Sequence, residues 1–530
     1  MKNKFLLQEY LIQAKDRYPN NVAVEYGSEK VTYSELFARS MKIAAALKKM
    51  GIEKNMPVLL YCRKSDLAVE SIYGILLNHN AYVPVDKIST PAYRCMVIIR
   101  ESQTKYFIAE GEDLDRLVKD TAFDSTVFEE MHVLVLDDKY KGDKGLFAEY
   151  QEMGWNADIE MVPDLAQEEE STAYILYTSG SAGIPKGAEL SHKNARYFVD
   201  WCIDYFEPEQ GERFLGITPF HFDLSIFDLY VSVASGGCLV LLSEQLEQNI
   251  LKKIDFILTE RINYIYSVPS LWLMILRYGK WKKDSFPALK KVLYAGEVFQ
   301  PNDLAHVMDL IPNVKFYNLY GLIETNVITC YEVKREELQK QNSVPIGFAC
   351  SDANLLVVQN GKVESGTGIT GELYVSGPTV MKSYYQREDL TDKVMTTLEG
   401  KRYFKTGDIV RREKNGELVF LCRKDFMVKR NGFRIELPEI ETVLCQMEEV
   451  QEAAVVAVEK NEKLFICAAV LVKESGMIKV LSIKQYLKNI LPSYMMPDYF
   501  ALMDSFKRSS SGKVDRSYLK QYFTTAVDLE

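Results

Sequence analysis

Short apolar runs alternate with helix-length amphipathic stretches through the first 320 residues or so of the chain. The runs are rich in β-branched and aromatic residues, which is typical of strands buried in a sheet. Thr32 and Glu35 stand at capping-box spacing ahead of an amphipathic stretch that ends near Gly51. The alternation predicts parallel-rich sheets covered by helices. The predicted strands are residues 22–26, 30–33, 58–62, 81–85, 106–109, 133–136, 174–178, 239–242, 292–295 and 315–318.

The pattern changes after about residue 365, where strands follow one another closely. Strands are predicted at 371–375, 402–404 and 417–422, before a charged turn at 423–425. The remaining residues carry predicted strands at 453–458 and 465–472 and helices at 438–448 and 483–490. We therefore predict an α/β fold with a large N-terminal domain and a β-rich subdomain (1–423), then a small, mobile α/β C-terminal domain (424–530).

Composition narrows the class of protein. A chain of 530 residues with 47% apolar residues can fill more than one core. The net charge of −10 argues against a nucleic-acid-binding face. The nine cysteines lack paired CxxC spacing, and no segment is apolar enough for a signal peptide or a membrane span. These features predict a soluble, cytoplasmic protein.

A strand at 174–178 runs into a loop rich in glycine and hydroxyl groups. Its glycines allow backbone N–H groups to approach phosphates closely, and its side chains add donors and a positive charge. The lysine is followed by Gly187 rather than Ser or Thr, so the loop is not a Walker A motif. The alternative is an ordinary surface linker. The candidate phosphate-binding residues are Thr178, Ser179, Gly180, Ser181, Gly183 and Lys186.

The loop resembles the phosphate loop of the adenylate-forming superfamily, which includes nonribosomal peptide adenylation domains, acyl-CoA ligases and luciferases. Further segments match that family in order and spacing over nearly the whole chain. They are Thr-Tyr-Ser-Glu-Leu at 32–36, Ala-Tyr-Val-Pro-Val-Asp at 81–86, Tyr-Ala-Gly-Glu at 294–297, Asn-Leu-Tyr-Gly-Leu-Ile-Glu at 318–324, Gly-Glu-Leu-Tyr-Val at 371–375, Tyr-Phe-Lys-Thr-Gly-Asp at 403–408, Arg-Lys-Asp at 423–425, Lys-Arg-Asn-Gly-Phe-Arg-Ile-Glu at 429–436 and Gly-Lys-Val-Asp-Arg at 512–516.

The resemblance implies an ATP-dependent reaction in which a carboxylate attacks the α-phosphate. By resemblance, Lys513 is the catalytic cation and Glu324 holds Mg²⁺, a hard ion that prefers oxygen ligands. The resemblance assigns the nucleotide to Gly296, Glu297, Asn318, Tyr320, Gly321, Thr325, Asp408 and Arg423. Within that set, Asn318 pairs with the adenine edge, Tyr320 stacks on its face, and Asp408 accepts the ribose hydroxyls with Arg423 assisting.

The family also implies a moving part. Lys513 must leave after adenylation so that a thiol can reach the acyl group, and the C-terminal domain rotates about a hinge matched here by Asp425. Each of these residues also has a plainer interpretation: Tyr320 as core, Asp408 as a turn residue, residues 423–425 as a charged turn and Lys513 as a solvated lysine.

The segment Phe-Asp-Leu-Ser-Ile-Phe-Asp-Leu at 222–229 resembles the amino-acid-activating branch, in which the residue matching Asp223 pairs with the substrate ammonium. The alternative is that Asp223 caps a helix. The pocket is completed by resemblance with Leu224, Phe227, Ser267, Leu293, Ala295, Leu319, Val327 and Ile328. This apolar lining, in which only Ser267 can hydrogen-bond, predicts a small or medium apolar amino acid. Proline is favoured over D-alanine or a small branched residue, because the pocket residues together with the segments at 318–321 and 325–327 resemble those of free-standing ligases that load proline onto a carrier protein.

The thiol acceptor is predicted to be the phosphopantetheine of a separate carrier protein, because the chain has no Gly-Gly-x-Ser segment of a fused carrier. An acyl- or aryl-CoA ligase and a non-catalytic nucleotide or amino-acid sensor remain alternatives. The sequence departs from the family pattern at several positions: Ala182, where a lost hydroxyl would weaken ATP binding, and Cys422, Asn431, Pro438 and Lys507.

Overall fold

The computed structural model describes residues 5–155, 167–178, 184–279, 285–341, 343–424, 427–460, 463–473, 478–508 and 514–527. Its helices are α1 (Leu7–Arg17), α2 (Tyr33–Lys49), α3 (Asp66–Leu77), α4 (Ala92–Ser102), α5 (Gly111–Lys119), α6 (His192–Phe206), α7 (Ser232–Ala234), α8 (Glu244–Glu247), α9 (Ile250–Thr259), α10 (Pro269–Tyr278), α11 (Pro301–Leu310), α12 (Glu388–Val394), α13 (Leu437–Cys445), α14 (Val480–Ile490) and α15 (Arg516–Val527). A π-helical turn, Phe227–Val231, precedes α7.

The strands are β1 (Val22–Tyr26), β2 (Glu29–Thr32), β3 (Pro57–Cys62), β4 (Ala81–Asp86), β5 (Tyr106–Ala109), β6 (His132–Val135), β7 (Glu149–Glu152), β8 (Thr172–Thr178), β9 (Lys186–Ser191), β10 (Arg213–Gly216), β11 (Cys238–Leu241), β12 (Tyr264–Ser267), β13 (Lys291–Tyr294), β14 (Lys315–Leu322), β15 (Asn326–Val333), β16 (Phe348–Ala349), β17 (Asn354–Gln359), β18 (Lys362–Glu364), β19 (Ile369–Ser376), β20 (Ser383–Tyr384), β21 (Met395–Leu398), β22 (Lys401–Arg412), β23 (Leu418–Arg423), β24 (Met427–Arg430), β25 (Phe433–Glu436), β26 (Val450–Lys460), β27 (Lys463–Val472) and β28 (Tyr499–Met503).

Two large sheets form the N-terminal part. The first has the order β20-β9-β8-β4-β3-β5-β6-β7 and is parallel from β8 to β7. The second has the order β16-β15-β14-β13-β12-β10-β11-β1-β2 and is parallel from β14 to β1. Buried residues of α2, α3 and α6 join residues of both sheets in one apolar cluster. The loops that carry the candidate site residues therefore begin at the ends of strands whose sheets are packed on both faces.

A third sheet, with the order β18-β17-β19-β22-β21 and β23 beside β22, is the β-rich subdomain. Beyond it, the hairpin β24–β25 leads into a separate three-stranded sheet, β26-β27-β28. Apolar side chains of α13, α14 and this sheet form a cluster of their own, and α15 packs against the other face of the sheet. The C-terminal part thus has its own core.

The predicted fold class is confirmed, with parallel-rich sheets, a β-rich subdomain and a small α/β C-terminal domain. The capping box at the start of α2 is present: the Thr32 hydroxyl accepts from the Glu35 backbone N–H, and the Glu35 carboxylate accepts from the Thr32 N–H. The division at residues 423/424, the hinge and the mobility of the C-terminal domain stay predictions.

The nine cysteines are all free. Six are buried and Cys350 is half-buried, whereas Cys422 and Cys445 are exposed. Within the described ranges, the helices are all too short or too polar to cross a lipid bilayer.

Candidate active site

Three of the predicted nucleotide residues, Tyr320, Asp408 and Arg423, come together where β14 of the second sheet meets β22 and β23 of the β-rich subdomain. The Tyr320 hydroxyl donates to Asp408 Oδ2 at 2.5 Å. Arg423, the cross-strand partner of Asp408, donates to its Oδ1 at 2.7 Å and to the Thr406 carbonyl at 2.6 Å. A buried carboxylate between two donors and an aromatic ring can hold a ribose beside an adenine.

The backbones of β14 and β15 approach each other closely at Gly321. The ladder shifts register after Tyr320, and a side chain at Gly321 would meet the Asn326 carbonyl at 1.8 Å. Asn318 Nδ2 donates to the Pro345 carbonyl at 2.8 Å, which fixes the orientation of the amide. Thr325 is fully buried, and its hydroxyl bonds to the turn that carries Glu324. Thr325 therefore shapes the turn.

Glu324 lies at the centre of the site and is fully buried. The Tyr384 hydroxyl donates to its Oε1 at 2.6 Å, and Arg434 Nη1 donates to Oε1 and Oε2 at 2.9 and 2.8 Å. Burial raises the pKa of Glu324, but the charges of Arg434 and Lys186 and the Tyr384 bond outweigh it and lower the pKa to about 2. Glu324 is therefore a carboxylate at every physiological pH.

On the phosphate side, Thr178 ends β8 and Lys186 begins β9, paired across the two antiparallel strands. The predicted residues Ser179, Gly180, Ser181 and Gly183, together with Ala182, lie outside the described residues. Lys186 Nζ is 3.1 Å from Glu436 Oε1 and 5.0 Å from the centre of the Tyr384 ring. The lysine therefore points toward Glu324 rather than into solvent.

Asp223 lies just before the π-helical turn, at the edge of the apolar cluster between the two sheets. Burial raises its pKa to about 6, and the charge of Lys429 opposes that rise. Its neighbours Leu224 and Phe227 pack into that cluster. A carboxylate held in such surroundings favours a cationic partner.

The structure brings most of the predicted pocket residues to this cluster. Leu293 and Ala295, Leu319 and Val327 belong to it. Ile328 instead packs with Tyr320 in the core of the β-rich subdomain, because neighbouring residues of a strand face opposite sides. The structure does not bring Ile328 to the pocket set.

Ser267 ends β12, is 2% exposed, and its hydroxyl has no hydrogen-bond partner within the part of the chain that is described. A buried hydroxyl is usually hydrogen-bonded, so a water molecule or a ligand is the expected partner of Ser267. Gly296 and Glu297 follow the adjacent β13, with Gly296 at φ +90°. Glu297 accepts from the Ser270 N–H at 3.1 Å and from the Gly432 N–H at 2.8 Å.

The sequence did not assign a role to the hairpin β24–β25, which reaches into the site from the C-terminal side. Arg434 and Glu436 bond to Glu324 and Lys186, and Lys429 Nζ lies 5.9 Å from the centre of the Tyr320 ring. These residues stand in the segment 429–436 that matched the family, and this was the available signal. Tyr384 carried no signal of that kind.

Asp425 and Lys513 lie outside the described residues, so their roles stay predictions. The described residues nearest to position 513, Arg508 and Val514, lie on the C-terminal sheet. Arg508 and Val514 pair with each other, Arg508 Nη2 is 2.5 Å from Glu452, and Val514 packs with the α15 cluster. In this arrangement the hairpin faces Glu324.

Comparison with known proteins identifies the family. The sequence model for AMP-binding enzymes matches residues 11–385, and the one for the AMP-binding enzyme C-terminal domain matches residues 439–513. The chain belongs to the AMP-binding enzymes. It is thus an adenylating ligase of the adenylate-forming superfamily, and ATP is its implied substrate.

Two kinds of relative are similar over nearly their whole length. An L-proline--[L-prolyl-carrier protein] ligase of Pseudomonas fluorescens is 32% identical, over 96% of this chain and 98% of the relative. A D-alanine--D-alanyl carrier protein ligase of Bacillus licheniformis is 30% identical, over 96% and 97%. Among solved structures, the Vibrio cholerae adenylation domain AlmE, in complex with glycyl-adenosine-5′-phosphate, matches 99% of both chains with a TM-score of 0.84 at 22% identity.

Proposed function

We propose that this enzyme uses ATP to activate a small apolar amino acid, with proline favoured and D-alanine the alternative, and transfers it to the phosphopantetheine thiol of a separate carrier protein. The carboxylate of Asp223, half-buried at the edge of an otherwise apolar pocket, carries the amino-acid assignment. An acyl- or aryl-CoA ligase has no use for a negative charge there. The names of the relatives support both the substrate class and the carrier protein.

In the first step, a substrate carboxylate oxygen forms a bond to the α-phosphorus of ATP, and the bond to pyrophosphate breaks. Asp223 holds the ammonium, Asp408 and Arg423 hold the ribose, and Lys186 draws the phosphates toward Glu324. In the second step, the carrier thiol attacks the acyl carbon, loses its proton, and AMP leaves. Lys513, by resemblance, supplies the charge that the first transition state needs.

A magnesium ion fits the residues present. Within the described ranges, no cluster of three or more His, Cys, Asp or Glu side chains is suited to a metal. Glu324 offers one buried, ionised carboxylate beside the phosphate side of the site. Mg²⁺ is commonly bound by one or two carboxylates together with substrate phosphates and water, and would neutralise phosphate charge there.

The choice between proline and D-alanine depends on the pocket. Its lining combines bulky apolar groups with the single hydroxyl of Ser267. Apart from Asp223, the predicted lining contains no charged residue that could pair with an acidic or basic substrate side chain. The apolar lining supports a substrate with a compact ring or a methyl side chain. Proline is the favoured occupant because the set of pocket residues resembles that of proline-loading ligases, and a relative of this chain is an L-proline--[L-prolyl-carrier protein] ligase.

ATP–pyrophosphate exchange with the common amino acids, D-alanine included, tests the proposal. We expect exchange with proline, or with D-alanine for the alternative, and loss of it in Asp223→Asn. Asp228→Asn is the matched control, because Asp228 is a second carboxyl side chain, buried on the π-helical turn five residues further along, and is not among the predicted pocket residues. Unaltered exchange in Asp223→Asn would favour a CoA ligase, and no exchange with any amino acid would favour a sensor.

A further inference from the structure

Two polar side chains to which the sequence assigned no role face each other in the interior, where the first sheet meets the second. Tyr174 on β8 and Asn326 at the start of β15 are both almost completely buried. Neither the Tyr174 hydroxyl nor Asn326 Nδ2 has a hydrogen-bond partner of normal geometry within the described ranges. Burial raises the pKa of Tyr174 well above its usual range, the charge of Asp223 adds to that rise, and the nearby Asn326 side chain opposes it.

The number of donors at this place exceeds the number of acceptors. The amide of Asn326 carries two N–H donors and the phenol of Tyr174 carries one O–H. Even a hydrogen bond from the amide to the phenol oxygen would leave one N–H and the O–H without an acceptor. Because buried polar atoms are normally hydrogen-bonded, two spare donors at one place point to a bound group that accepts from both.

The surrounding contacts fix the orientation of both side chains. Asn326 has φ of +52°, which asparagine tolerates, and its Oδ1 accepts from the Val327 N–H at 2.8 Å. Nδ2 is therefore the end that remains for another partner. Tyr174 pairs with Tyr82 between β8 and β4, with ring centres 5.4 Å apart, and the Tyr82 hydroxyl accepts from Tyr230 at 3.1 Å. Donors held in this way are preorganised for a ligand.

The two donors link the ammonium end of the proposed site to its phosphate end. Asp223 is near enough to Tyr174 for its charge to act on the phenol, and the charge of Glu324 acts on Asp223. Asn326 follows the turn that carries Glu324, and the Thr325 hydroxyl donates to the Asn326 carbonyl at 3.0 Å. Tyr174 thus lies on the Asp223 side and Asn326 on the Glu324 side.

The carboxylate of the substrate has to lie between these two ends. In the proposed function Asp223 holds the ammonium, which is attached to the same carbon atom as the carboxylate, and one carboxylate oxygen must reach the α-phosphorus beside Glu324. The substrate carboxylate therefore enters a region flanked by two negative charges. An anion in such a place needs hydrogen-bond donors that are already in position.

We propose that Tyr174 and Asn326 form a carboxylate subsite of the amino-acid pocket, in which the phenol O–H and the amide N–H donate to the carboxylate of the substrate. These contacts offset the repulsion from Asp223 and Glu324 and hold one oxygen for attack on the α-phosphorus. The inference rests on the proposed function and deepens it, because it adds recognition of the reacting group to recognition of the ammonium.

Tyr174→Phe tests the first donor, because it removes the hydroxyl and keeps the ring. Tyr177→Phe is the matched control: Tyr177 lies on the same strand, and its buried hydroxyl also has no partner among the described residues, but it packs on the opposite face of the first sheet. In ATP–pyrophosphate exchange, Tyr174→Phe should lower kcat/KM for the amino acid about 10- to 100-fold at an unchanged KM for ATP. Tyr177→Phe should change neither value, and both variants should keep the melting temperature of the unaltered enzyme.

Inhibition by the decarboxylated amine separates recognition of the carboxylate from recognition of the ammonium. This probe is pyrrolidine where the enzyme activates proline and ethylamine where it activates D-alanine. The amine keeps the ammonium and lacks the group that Tyr174 is proposed to bind, so its inhibition constant should be the same in Tyr174→Phe as in the unaltered enzyme. Equal weakening of amino acid and amine would overturn the carboxylate subsite, because the hydroxyl would then act on the ammonium or on the shape of the pocket.

Asn326→Asp tests the second donor with almost no change of shape. The substitution keeps an oxygen for the Val327 N–H and suits the positive φ, but it replaces the N–H donor with an acceptor. The value of kcat/KM for the amino acid should fall at least as far as in Tyr174→Phe, whereas inhibition by the amine should be unchanged or stronger. An unchanged kcat/KM would remove Asn326 from the subsite.

The unaltered enzyme distinguishes failure of this inference from failure of the proposed function. If it exchanges pyrophosphate with an amino acid and both Tyr174→Phe and Asn326→Asp behave as it does, the carboxylate subsite is refuted and the proposed function stands. If it exchanges with no amino acid, the proposed function is refuted and this inference with it.

Discussion

Replacing Asp223 with asparagine should make the protein more stable while it removes amino-acid activation. The pKa of Asp223 rises from 3.8 to about 6 because burial disfavours the carboxylate. A difference of that size corresponds to about 3 kcal/mol of unfavourable free energy when the group is ionised. The amide of asparagine keeps the shape and carries no charge.

The sign of the pH dependence follows from this shift. The folded state holds the Asp223 proton more tightly than the unfolded state, so the stability of the unaltered enzyme decreases as the pH rises from about 3.8 to about 6. The cost is present in full above about pH 6. The stability gain of Asp223→Asn should therefore be roughly twice as large at pH 8 as at pH 5.

Chemical denaturation of both proteins at pH 5 and pH 8, with ATP–pyrophosphate exchange on the same samples, measures the two effects. Exchange should fall by at least about 100-fold in the variant, because a buried ammonium loses its charged partner. In the unaltered enzyme, amino-acid affinity should decline as the pH falls below about 6. A variant that is less stable at pH 8, or whose gain is the same at both pH values, would refute the assignment of Asp223 as a strained carboxylate.

Three further outcomes are expected. Lys513→Ala should abolish adenylate formation and leave ATP affinity by calorimetry unchanged; full activity would disprove the role assigned by resemblance. Ser267→Ala should leave the melting temperature unchanged or raise it, because the Ser267 hydroxyl has no hydrogen-bond partner within the described residues. The same variant should raise the KM for the amino acid about 2- to 12-fold. An unchanged KM would remove Ser267 from the pocket. Arg94 and Glu439 form a buried ion pair at 2.6 Å between α4 and α13, so Arg94→Met should speed proteolysis near residues 424–427. Adding Glu439→Gln to that variant should largely restore resistance to the protease. Equal cleavage of the unaltered enzyme and both variants would show that the pair does not hold the C-terminal domain in place.

The local pattern of apolar and polar residues was enough to predict several of the elements that bury one face. The predicted strands at 22–26 and 106–109 coincide with β1 and β5, and the capping box predicted the start of α2. Most other strand boundaries shifted by one to three residues, as at 133–136, where the strand is His132–Val135. The strands predicted at 315–318 and 402–404 are much longer, Lys315–Leu322 and Lys401–Arg412. Hydrophobic periodicity indicates which residues are buried, but it indicates less accurately at which residue the hydrogen bonds between two strands end.

The site was predicted less completely because its key contacts join residues far apart in the chain. Tyr384 and Arg434 reach Glu324 across 60 and 110 residues, and composition or spacing carries no signal for such pairings. Ile328 was assigned to the pocket by its place in a motif, but the alternation of β15 turns it to the opposite side. Asp223, Asp408 and Arg423 were proposed as site residues because each stands within a matched segment, and their roles stay predictions.

The two exposed cysteines offer a direct way to observe the domains. Cys422 lies on β23 and Cys445 at the end of α13, so they stand on opposite sides of Asp425 in the chain, where the hinge is predicted. Most of the other thiols are buried, and fluorescent maleimides should therefore attach preferentially to this natural pair. Energy transfer between the two dyes would then report rotation of the C-terminal domain in real time, without any engineered labelling site.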